Sequence, residues 1–326
     1  MASMTGSNSR AAGVSVSNGR HIAVILDPDG RVVADLASDV DSSADAVAQL
    51  RDFVGRLRSA MGDFATLGVA VPGLVNRGTN RVEFSAEFPA HAQADLAHIL
   101  SEAARMNCVI ENDANAGGFG ELRAGAGRGA SDLFYATLGS GIGGCIIQDG
   151  KIWRGNSGFA GEFGYVTINS DGMRLEDVAS AGNIVRRTQS RIHQDRTSVL
   201  SGLDEQAITI SDIVGAARDE DDFALLMLDR TGRYVGSAIA SVINLLNIER
   251  IVIGGAIMES GPVILESIIS RAKEFSFGPA FAGTSIRAGE LGEKAAAIGA
   301  ALIAGEPGKA TEQGDFPAGN PTSQSN

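Results

Sequence analysis

Three short blocks of small residues each adjoin an apolar run of the kind that forms buried strands. They are Glu111–Asn115, Thr137–Gly144 and Gly158–Gly164, and each carries a polar side chain that could meet a ligand. In open α/β sheets, ligands bind outside the carboxyl ends of the strands, where such turns lie. The blocks therefore predict a shared ligand site, and Asp113 is the carboxylate that we expect to do chemistry there.

The composition is that of a globular protein with room for two lobes. The chain has 326 residues, of which 44% are hydrophobic and 20% are charged. Its net charge of −12 argues against a general nucleic-acid surface, which needs concentrated lysine and arginine. An anionic small-molecule ligand stays open, because the amides of a glycine loop can bind phosphate without lysine.

The two cysteines, Cys108 and Cys145, lie inside apolar, strand-like runs, so we expect them to be small buried side chains. The four histidines form no metal-ligand spacing with them. No apolar run approaches the roughly 18–20 residues of a membrane span, and no signal-peptide pattern stands near residue 1. A reducing cytoplasm and no membrane contact are therefore expected.

The order of elements predicts mixed sheets with helices packed on them. Strands are predicted at residues 13–16, 21–26, 31–36, 66–71, 108–111, 133–138, 145–148, 151–153, 251–253 and 284–288. Helices are predicted at residues 44–61, 94–106, 114–124, 184–193, 210–218, 223–246, 262–275 and 293–304. The pattern of strand, small-residue turn, strand, turn and strand occurs twice, which indicates two related lobes with a cleft between them.

The predicted lobes divide the chain unevenly. Residues 13–116 form a small N-terminal lobe, onto which a final helix at 293–304 packs back, and residues 117–292 form a large C-terminal lobe. Residues 1–12 and 305–326 are rich in small and polar residues, a composition typical of disordered ends.

These motifs, in this order, resemble the ROK family of bacterial sugar kinases and sugar-responsive repressors. The resemblance covers residues 13–304 and implies a two-lobed, actin-like (ribonuclease H-like) ATPase fold of the hexokinase type. Five segments carry it: E-N-D-A-N at Glu111–Asn115, T-L-G-T-G-I-G-G at Thr137–Gly144 with Ser140 as its one change, A-G-E-x-G-H at Ala160–Tyr165, L-E-x-x-A-S-G at Leu175–Ala181, and V-I-G-G within Ile251–Gly255.

The resemblance implies a catalytic carboxylate and a set of sugar contacts. In the family's kinases a carboxylate in the cleft accepts the proton of the attacking hydroxyl, usually the 6-OH of a hexose, and this position falls on Asp113. Asn112, Glu162 and Glu176 would hold the sugar hydroxyls, because a polyol needs several oriented acceptors.

The resemblance also implies a site for ATP with Mg²⁺. Glycine amides would cradle the phosphates, since only glycine lets backbone N–H groups approach so closely. The adenosine would lie against the last glycine pair of the motif set. The nucleotide-binding candidates are Thr137, Gly139, Ser140, Gly141, Gly143, Gly144, Gly254, Gly255, Ser15 and Gly19.

Each motif also has a plain structural interpretation. Asn112 and Asp113 ahead of a helix make a good N-terminal cap, and a glycine run between two strands is often only a hairpin or bulge. Glu162 taken alone could be a solvated turn residue, and Gly254–Gly255 a simple strand-to-helix turn. Five motifs in the family's order favour the fold, although a fold does not settle an activity.

The first predicted hairpin departs from the family's pattern. The first phosphate motif of the family, D-I-G-G-T, falls on Ser15–Gly19 when aligned without gaps. The Asp of the motif has become Ser15, and its two glycines have become Ser17 and Asn18. These changes should weaken the binding of ATP with Mg²⁺, although asparagine tolerates positive φ and the turn itself can form.

Two further departures concern the sugar side and a zinc site. The Asn of the family's P-N-L segment falls near Glu87, and a carboxylate in place of an amide argues against ordinary glucose recognition. Many members bind zinc through the His after G-E-x-G and three following cysteines. Here that position is Tyr165, and residues 166–174 contain no cysteine. We therefore predict no zinc site, with Tyr165 as a further candidate sugar contact.

Three functions stay open at this point. The first is an ATP-dependent kinase of a hexose or related polyol. The second is a non-catalytic, sugar-binding regulator that has lost productive ATP binding, which Ser15–Gly19 favours. The third is a kinase with another phosphoryl donor or a cyclitol substrate, which would account for both Ser15 and Glu87.

The resemblance also guides the expected partners. The family's repressors carry an N-terminal helix-turn-helix, and about a dozen residues precede the first predicted strand, so we expect no direct DNA binding. A small-molecule sugar or cyclitol is the expected ligand. A homodimer is the expected assembly, since family members are commonly dimers or tetramers.

Overall fold

The computed structural model describes residues 9–17 and 19–306. Its strands are β1 (Ala11–Val16), β2 (Arg20–Leu26), β3 (Val32–Asp39), β4 (Thr66–Val71), β5 (Leu74–Asn76), β6 (Arg81–Phe84), β7 (Cys108–Asn112), β8 (Leu133–Leu138), β9 (Ile142–Gln148), β10 (Lys151–Trp153), β11 (Arg250–Gly254) and β12 (Ser285–Ala288). Its α-helices are α1 (Ala46–Met61), α2 (Pro89–Gln93), α3 (Leu96–Ala104), α4 (Asp113–Ala124), α5 (Glu176–Ala179), α6 (Ala181–Gln189), α7 (Ile210–Arg218), α8 (Asp222–Leu246), α9 (Pro262–Phe275), α10 (Gly278–Ala282) and α11 (Ala295–Gly305).

Two five-stranded sheets form the framework, and both mix parallel with antiparallel strands. The first sheet has the order β3-β2-β1-β4-β7, and the second has the order β10-β9-β8-β11-β12. Strands β1, β4 and β7 run parallel in the first sheet, as do β8, β11 and β12 in the second. Because parallel strands end at the same edge, each sheet gathers its functional turns at one edge. The predicted α/β class with mixed sheets is confirmed.

The central strands of the first sheet are buried on both faces. Val14, Val69 and Ile110 lie side by side across β1, β4 and β7, and all three are fully buried. Helices α1 and α3 pack with these side chains, while α11 packs against Ala70 on the opposite face. Nearly continuous apolar runs are what a sheet covered on both faces requires.

Helix α11 lies close to both the first sheet and α4, because glycines remove the side chains between them. A Cβ atom at Gly68 of β4 would lie 2.0 Å from the carbonyl oxygen of Ala300, and one at Gly299 would lie 1.7 Å from that of Ala116 in α4. Glycine alone fits at contacts of this kind. The chain therefore returns to its first sheet at its last helix.

The first strand begins earlier than the sequence pattern predicts. Disorder is predicted for residues 1–12, but β1 begins at Ala11, and Ala11 and Ala12 are buried and pair with β4. The prediction was wrong there because small alanines pack tightly beneath other alanines of α11, which composition does not reveal. Residues 1–8, Asn18 and residues 307–326 lie outside the described residues, and so do the predictions that fall on them.

The predicted turn at 139–144 is shorter than expected. Strand β9 begins at Ile142 rather than at residue 145, so Gly143 and Gly144 lie in the strand. A Cβ atom at Gly144 would lie 2.6 Å from the carbonyl oxygen of Gly161, which itself has a φ of +101°. Two of the small-residue blocks therefore pack backbone to backbone, and these glycines serve that packing.

Candidate active site

Asn112 and Asp113 lie where β7 ends and α4 begins. The side-chain oxygen of Asn112 accepts a hydrogen bond from the Asn115 amide at 2.9 Å, which caps the helix. The amide nitrogen of the same side chain donates to the Gly73 carbonyl oxygen at 2.9 Å and to the Asp113 carboxylate at 3.1 Å. Asn112 is thus both the cap that the structural interpretation predicts and the group that orients Asp113.

The carboxyl group of Asp113 is desolvated by burial, although the residue keeps partial exposure, and other acids lie near it. Burial raises the pKa of Asp113 to about 7, a hydrogen bond from the Ala114 amide works against that rise, and the charges of Glu87 and Glu162 add to it. A carboxylate whose pKa lies near 7 is still partly ionised at physiological pH, so it can accept a proton. It also binds that proton more strongly than an ordinary carboxylate does. The electrostatics of the site therefore suit a general base.

The other predicted acids join the second block of small residues to the third. The Glu176 carboxylate accepts a hydrogen bond from the Ile142 amide at 2.9 Å. Burial raises the pKa of Glu162, and the charge of the nearby Glu176 raises it further. Tyr165 is 59% exposed, and the guanidinium carbon of Arg174 lies 4.9 Å from the centre of its ring. The structure thus brings Glu162 and Glu176 together with the turn before β9.

The start of α4 meets the end of β8, which joins the catalytic candidate to the phosphate candidates. A Cβ atom at Gly143 would lie 2.8 Å from the Ala114 Cβ atom and 3.1 Å from the Thr137 Cγ2 atom. Ala114 directly follows Asp113 in α4. The carboxyl edges of the two sheets therefore face the same site.

The turn between β8 and β9 is partly closed on itself. The Gly139 amide donates to the Gly141 carbonyl oxygen at 3.0 Å, and the Gly139 carbonyl accepts from the Ala181 amide at 2.8 Å. Ser140 and Gly141 at the tip are exposed. The tip is therefore the part of this turn that a phosphate could reach.

The predicted adenosine-side glycines lie beside the same turn. Gly254 pairs with Thr137 in the second sheet. Gly255 has a φ of +95°, and a Cβ atom there would lie 2.3 Å from the Leu138 carbonyl oxygen. A side chain at Gly255 would be excluded on both grounds. These two glycines thus bring β11 close to the end of β8.

The first hairpin keeps its turn although the glycine pair of the family motif is missing. The Ser17 hydroxyl donates to the Arg20 carbonyl oxygen at 2.8 Å and accepts from the Arg20 amide at 3.2 Å. Ser15 pairs with Ile22 within the hairpin. A Cβ atom at Gly19 would meet no neighbouring atom within 4 Å, so open space lies beside it. The Ser17 side chain thus closes the turn by hydrogen bonds to the backbone of Arg20.

A buried ion-pair network beside Asp113 is the feature that sequence reasoning missed. Glu111, whose side chain is 1% exposed, pairs with Arg154, and its carboxylate lies 3.6 Å from the Nε atom of Arg77. A carboxylate inside an otherwise apolar strand run signals that a cation must lie nearby. The sequence does not say which arginine supplies it, because the partners are distant along the chain.

Cavity size and metal ligands do not locate the site. A cavity of about 720 Å³, lined among others by His21, Ser38 and Gln49, includes none of the predicted site residues that the structure describes. Within residues 9–17 and 19–306, no three His, Cys, Asp or Glu side chains are grouped as a metal site would need. The absence of zinc stays a prediction.

None of the described helices is long and apolar enough to cross a membrane.

Comparison with known proteins places this architecture in a class. A ROK family glucokinase from Streptomyces griseus, solved in complex with glucose and AMPPNP, matches with a TM-score of 0.81 and 27% identity over 90% of this chain and 99% of that one. The two sheets and their helices form the actin-like ATPase fold of ROK sugar kinases. The predicted fold is confirmed.

The model of the ROK family matches residues 19–306, and the chain belongs to that family. A glucokinase from Halalkalibacterium halodurans is 31% identical over 269 residues, which cover 78% of this chain and 80% of that protein. A xylose repressor from Bacillus spizizenii is 26% identical over 288 residues, which cover 86% of this chain and 73% of that protein. The relatives thus include both enzymes and regulators.

Proposed function

We propose that the protein is a ROK-type kinase that transfers the γ-phosphoryl group of ATP to a hydroxyl of a hexose or related polyol. The observation that carries the proposal is Asp113: it lies at the carboxyl edge of the first sheet, is oriented by Asn112, and has a pKa raised to about 7. The similarity to proteins named glucokinase supports the same activity.

In the proposed reaction Asp113 accepts the proton of the attacking hydroxyl. The hydroxyl oxygen forms a bond to the γ-phosphorus, the bond from that phosphorus to the β,γ-bridging oxygen breaks, and ADP leaves. Ser140 and Gly141 at the exposed turn tip would contact the phosphates, and Gly254 and Gly255 would flank the nucleotide. Mg²⁺ would enter with the ATP phosphates as part of that substrate.

The sugar would bind between the two sheets, against the acids that surround Asp113. Asn112, Glu162 and Glu176 would hold its hydroxyls, with Glu87 beside them. In this proposal residues 13–116 together with α11 form the small lobe, and residues 117–292 form the large one. Tyr165, which is 59% exposed, would contact the outer part of a larger sugar through its hydroxyl.

A second candidate is a sugar-binding regulator without catalysis. The observation that favours it is the first hairpin, where Ser17 bonds across the turn in place of the family's open glycine pair. The similarity to xylose repressors fits the same candidate. Such a protein would bind sugar and would not turn over ATP.

A coupled ADP-release assay over hexoses, amino sugars and cyclitols separates the two candidates. The kinase predicts ADP release that depends on one of these acceptors, with Mg²⁺ and ATP present. Calorimetry with the same panel reports sugar binding independently of turnover. Sugar binding without ADP release on any acceptor would favour the regulator and contradict the kinase.

A further inference from the structure

We propose that Arg154 is a positioning residue for Asp113, because it anchors the Glu111 carboxylate that in turn fixes Asn112. The role rests on the proposed function, in which Asp113 is the base. Arg154 has no place in the motif set that defines the candidate site. The contacts that connect Arg154 to Asp113 run through Glu111 and Asn112, the two residues that precede Asp113 in the chain.

Glu111 is bonded on both of its carboxylate oxygens. One oxygen pairs with Arg154 and lies 3.6 Å from Arg77. The other accepts from the Asn112 backbone amide at 3.1 Å and from the Asn115 side chain at 3.3 Å. Removing one partner of a buried ion pair is strongly destabilising, so Glu111 would lose much of its stabilisation without Arg154.

Asn112 connects Glu111 to Asp113 through two hydrogen bonds. Its backbone amide is held by Glu111, and its side chain donates at 3.1 Å to the Asp113 carboxylate. A shift of Glu111 would therefore move the group that orients the base. The Asn112 side chain also bonds to Gly73, so its freedom to compensate is small.

Arg154 and Arg77 reach Glu111 from different parts of the fold. Arg154 follows β10 of the second sheet, and Arg77 follows β5 and donates to the Ile110 carbonyl oxygen of the first sheet at 3.0 Å. The Arg154–Glu111 contact thus joins the second sheet to the residue before the catalytic pair. This contact is therefore one of those that connect the two sheets near Asp113.

The first test measures the ionisation of Asp113 without requiring turnover. Protein labelled with ¹³C at the aspartate carboxyl carbons is titrated by NMR, and the Asp113 signal is assigned by its loss in Asp113→Asn. In Arg154→Met the midpoint should rise by about one pH unit, because Glu111 shifts without its cation and the hydrogen bond from Asn112 to the Asp113 carboxylate loosens. In Glu111→Gln/Arg154→Met the midpoint should return towards the wild-type value.

The second test measures turnover on the acceptor found for the wild type. In Arg154→Met, kcat should fall about tenfold or more while the KM for ATP stays near the wild-type value, and Arg154→Lys should recover part of the loss. Arg128→Met is the matched control, because Arg128 pairs with Glu290 at 3.1 Å and both side chains are more than half exposed. It should leave both readouts unchanged.

An Asp113 midpoint and a kcat in Arg154→Met that equal those of Arg128→Met would overturn the positioning role. A midpoint that stays raised in the double variant would overturn it as well, since unpaired Glu111 would not be the cause. If Arg154→Met does not fold, the Asp113 midpoint and kcat of Arg154→Lys and of the double variant are compared with those of the control instead. A wild type that phosphorylates no acceptor refutes the proposed function, whereas the titration still decides whether Arg154 acts on Asp113.

Discussion

At the scale of single residues, the chemistry depends on the environment of one carboxylate. Burial raises the pKa of Asp113, and the nearby charges of Glu87 and Glu162 raise it further. The same environment that would make Asp113 a usable base makes its ionised form costly to the folded state. In the proposed kinase, function and stability are therefore opposed at this position, as they often are at catalytic groups.

Replacing Asp113 by Asn should stabilise the fold more at pH 8 than at pH 5. A carboxyl group whose folded pKa lies above its unfolded value binds more protons when folded, so its contribution to stability falls as pH rises towards 7. Asparagine avoids this loss. The extra stabilisation at pH 8 should be on the order of 1–2 kcal/mol, allowing for the partial exposure of Asp113. Urea unfolding of both proteins at the two pH values measures it, and an equal effect at both values would contradict the raised pKa.

At the scale of helices and strands, close backbone contacts fix how the elements pack. Helix α11 approaches α4 and the first sheet at glycines, as Gly299 and Gly68 show. Buried histidines set how the stability of this packing responds to pH. These properties belong to pairs of elements rather than to any one side chain.

Gly299→Ala should destabilise the protein by about 1–3 kcal/mol or more, because the new methyl group would meet the Ala116 carbonyl oxygen of α4. Gly215→Ala in α7 is the matched control, since a Cβ atom there has no neighbour within 4 Å. Alanine is a better helix residue, so the control should gain roughly 0.5–1 kcal/mol. Urea midpoints of the two variants should move in opposite directions. A shift of both to higher stability would contradict the close packing of α11.

Two buried histidines should make the first sheet sensitive to acid. Burial lowers the pKa of His21 on β2 and of His91 on α2 to about 4, and the charge of His91 adds to the effect on His21. Unfolding restores a pKa near 6.5, so the unfolded state binds more protons between these values. Their stabilisation is complete above pH 6.5 and is lost as pH falls towards 4; at pH 5 each histidine should cost about 2 kcal/mol.

The measurement for this histidine pair is the free energy of unfolding in urea at pH 7.5 and pH 5. His21→Leu/His91→Leu should lose less stability between the two than the wild type does. His98→Leu is the control, because His98 is exposed and its pH response should stay that of the wild type. An equal loss in wild type and double variant would show that the two histidines are not the titrating groups.

Local patterns in the sequence predicted elements well and long-range contacts poorly. Strands Thr66–Val71 and Leu133–Leu138 and helix Pro262–Phe275 lie where periodicity and turn residues place them. The start of β9 was wrong because glycines in a packed strand and in an open turn look alike. The partner of Glu111 could not be found, because Arg154 is 43 residues away and an arginine after a strand is an ordinary surface pattern.

The same limit holds for the candidate site. The family motifs name Asp113, Asn112, Glu162 and Glu176, and the structure brings the edges that carry them together. The roles of those residues, the homodimer and the cytoplasmic location stay predictions. What the motifs do not contain is the hydrogen bond by which Asn112 orients Asp113, since that depends on side-chain geometry at a strand end.

At the scale of the whole molecule, the two sheets bring their candidate site turns to one edge. Strands β7 and β8 end at Asn112 and Leu138, and helix α4 runs between them. The buried Glu111 network lies at this junction and links residues of both sheets. In the proposed kinase, this arrangement would let two sets of turns, one for each substrate, meet at Asp113.

The central claim is that Asp113 is the base of a sugar kinase, and kcat/KM for the best acceptor in the ADP-release assay tests it most directly. Asp113→Asn should lower kcat/KM by about 10²- to 10⁴-fold, and the wild-type value should rise with pH through about 7, where the carboxyl group loses its proton. A variant as active as the wild type, or a wild-type profile flat from about pH 6 to pH 8, would contradict the claim.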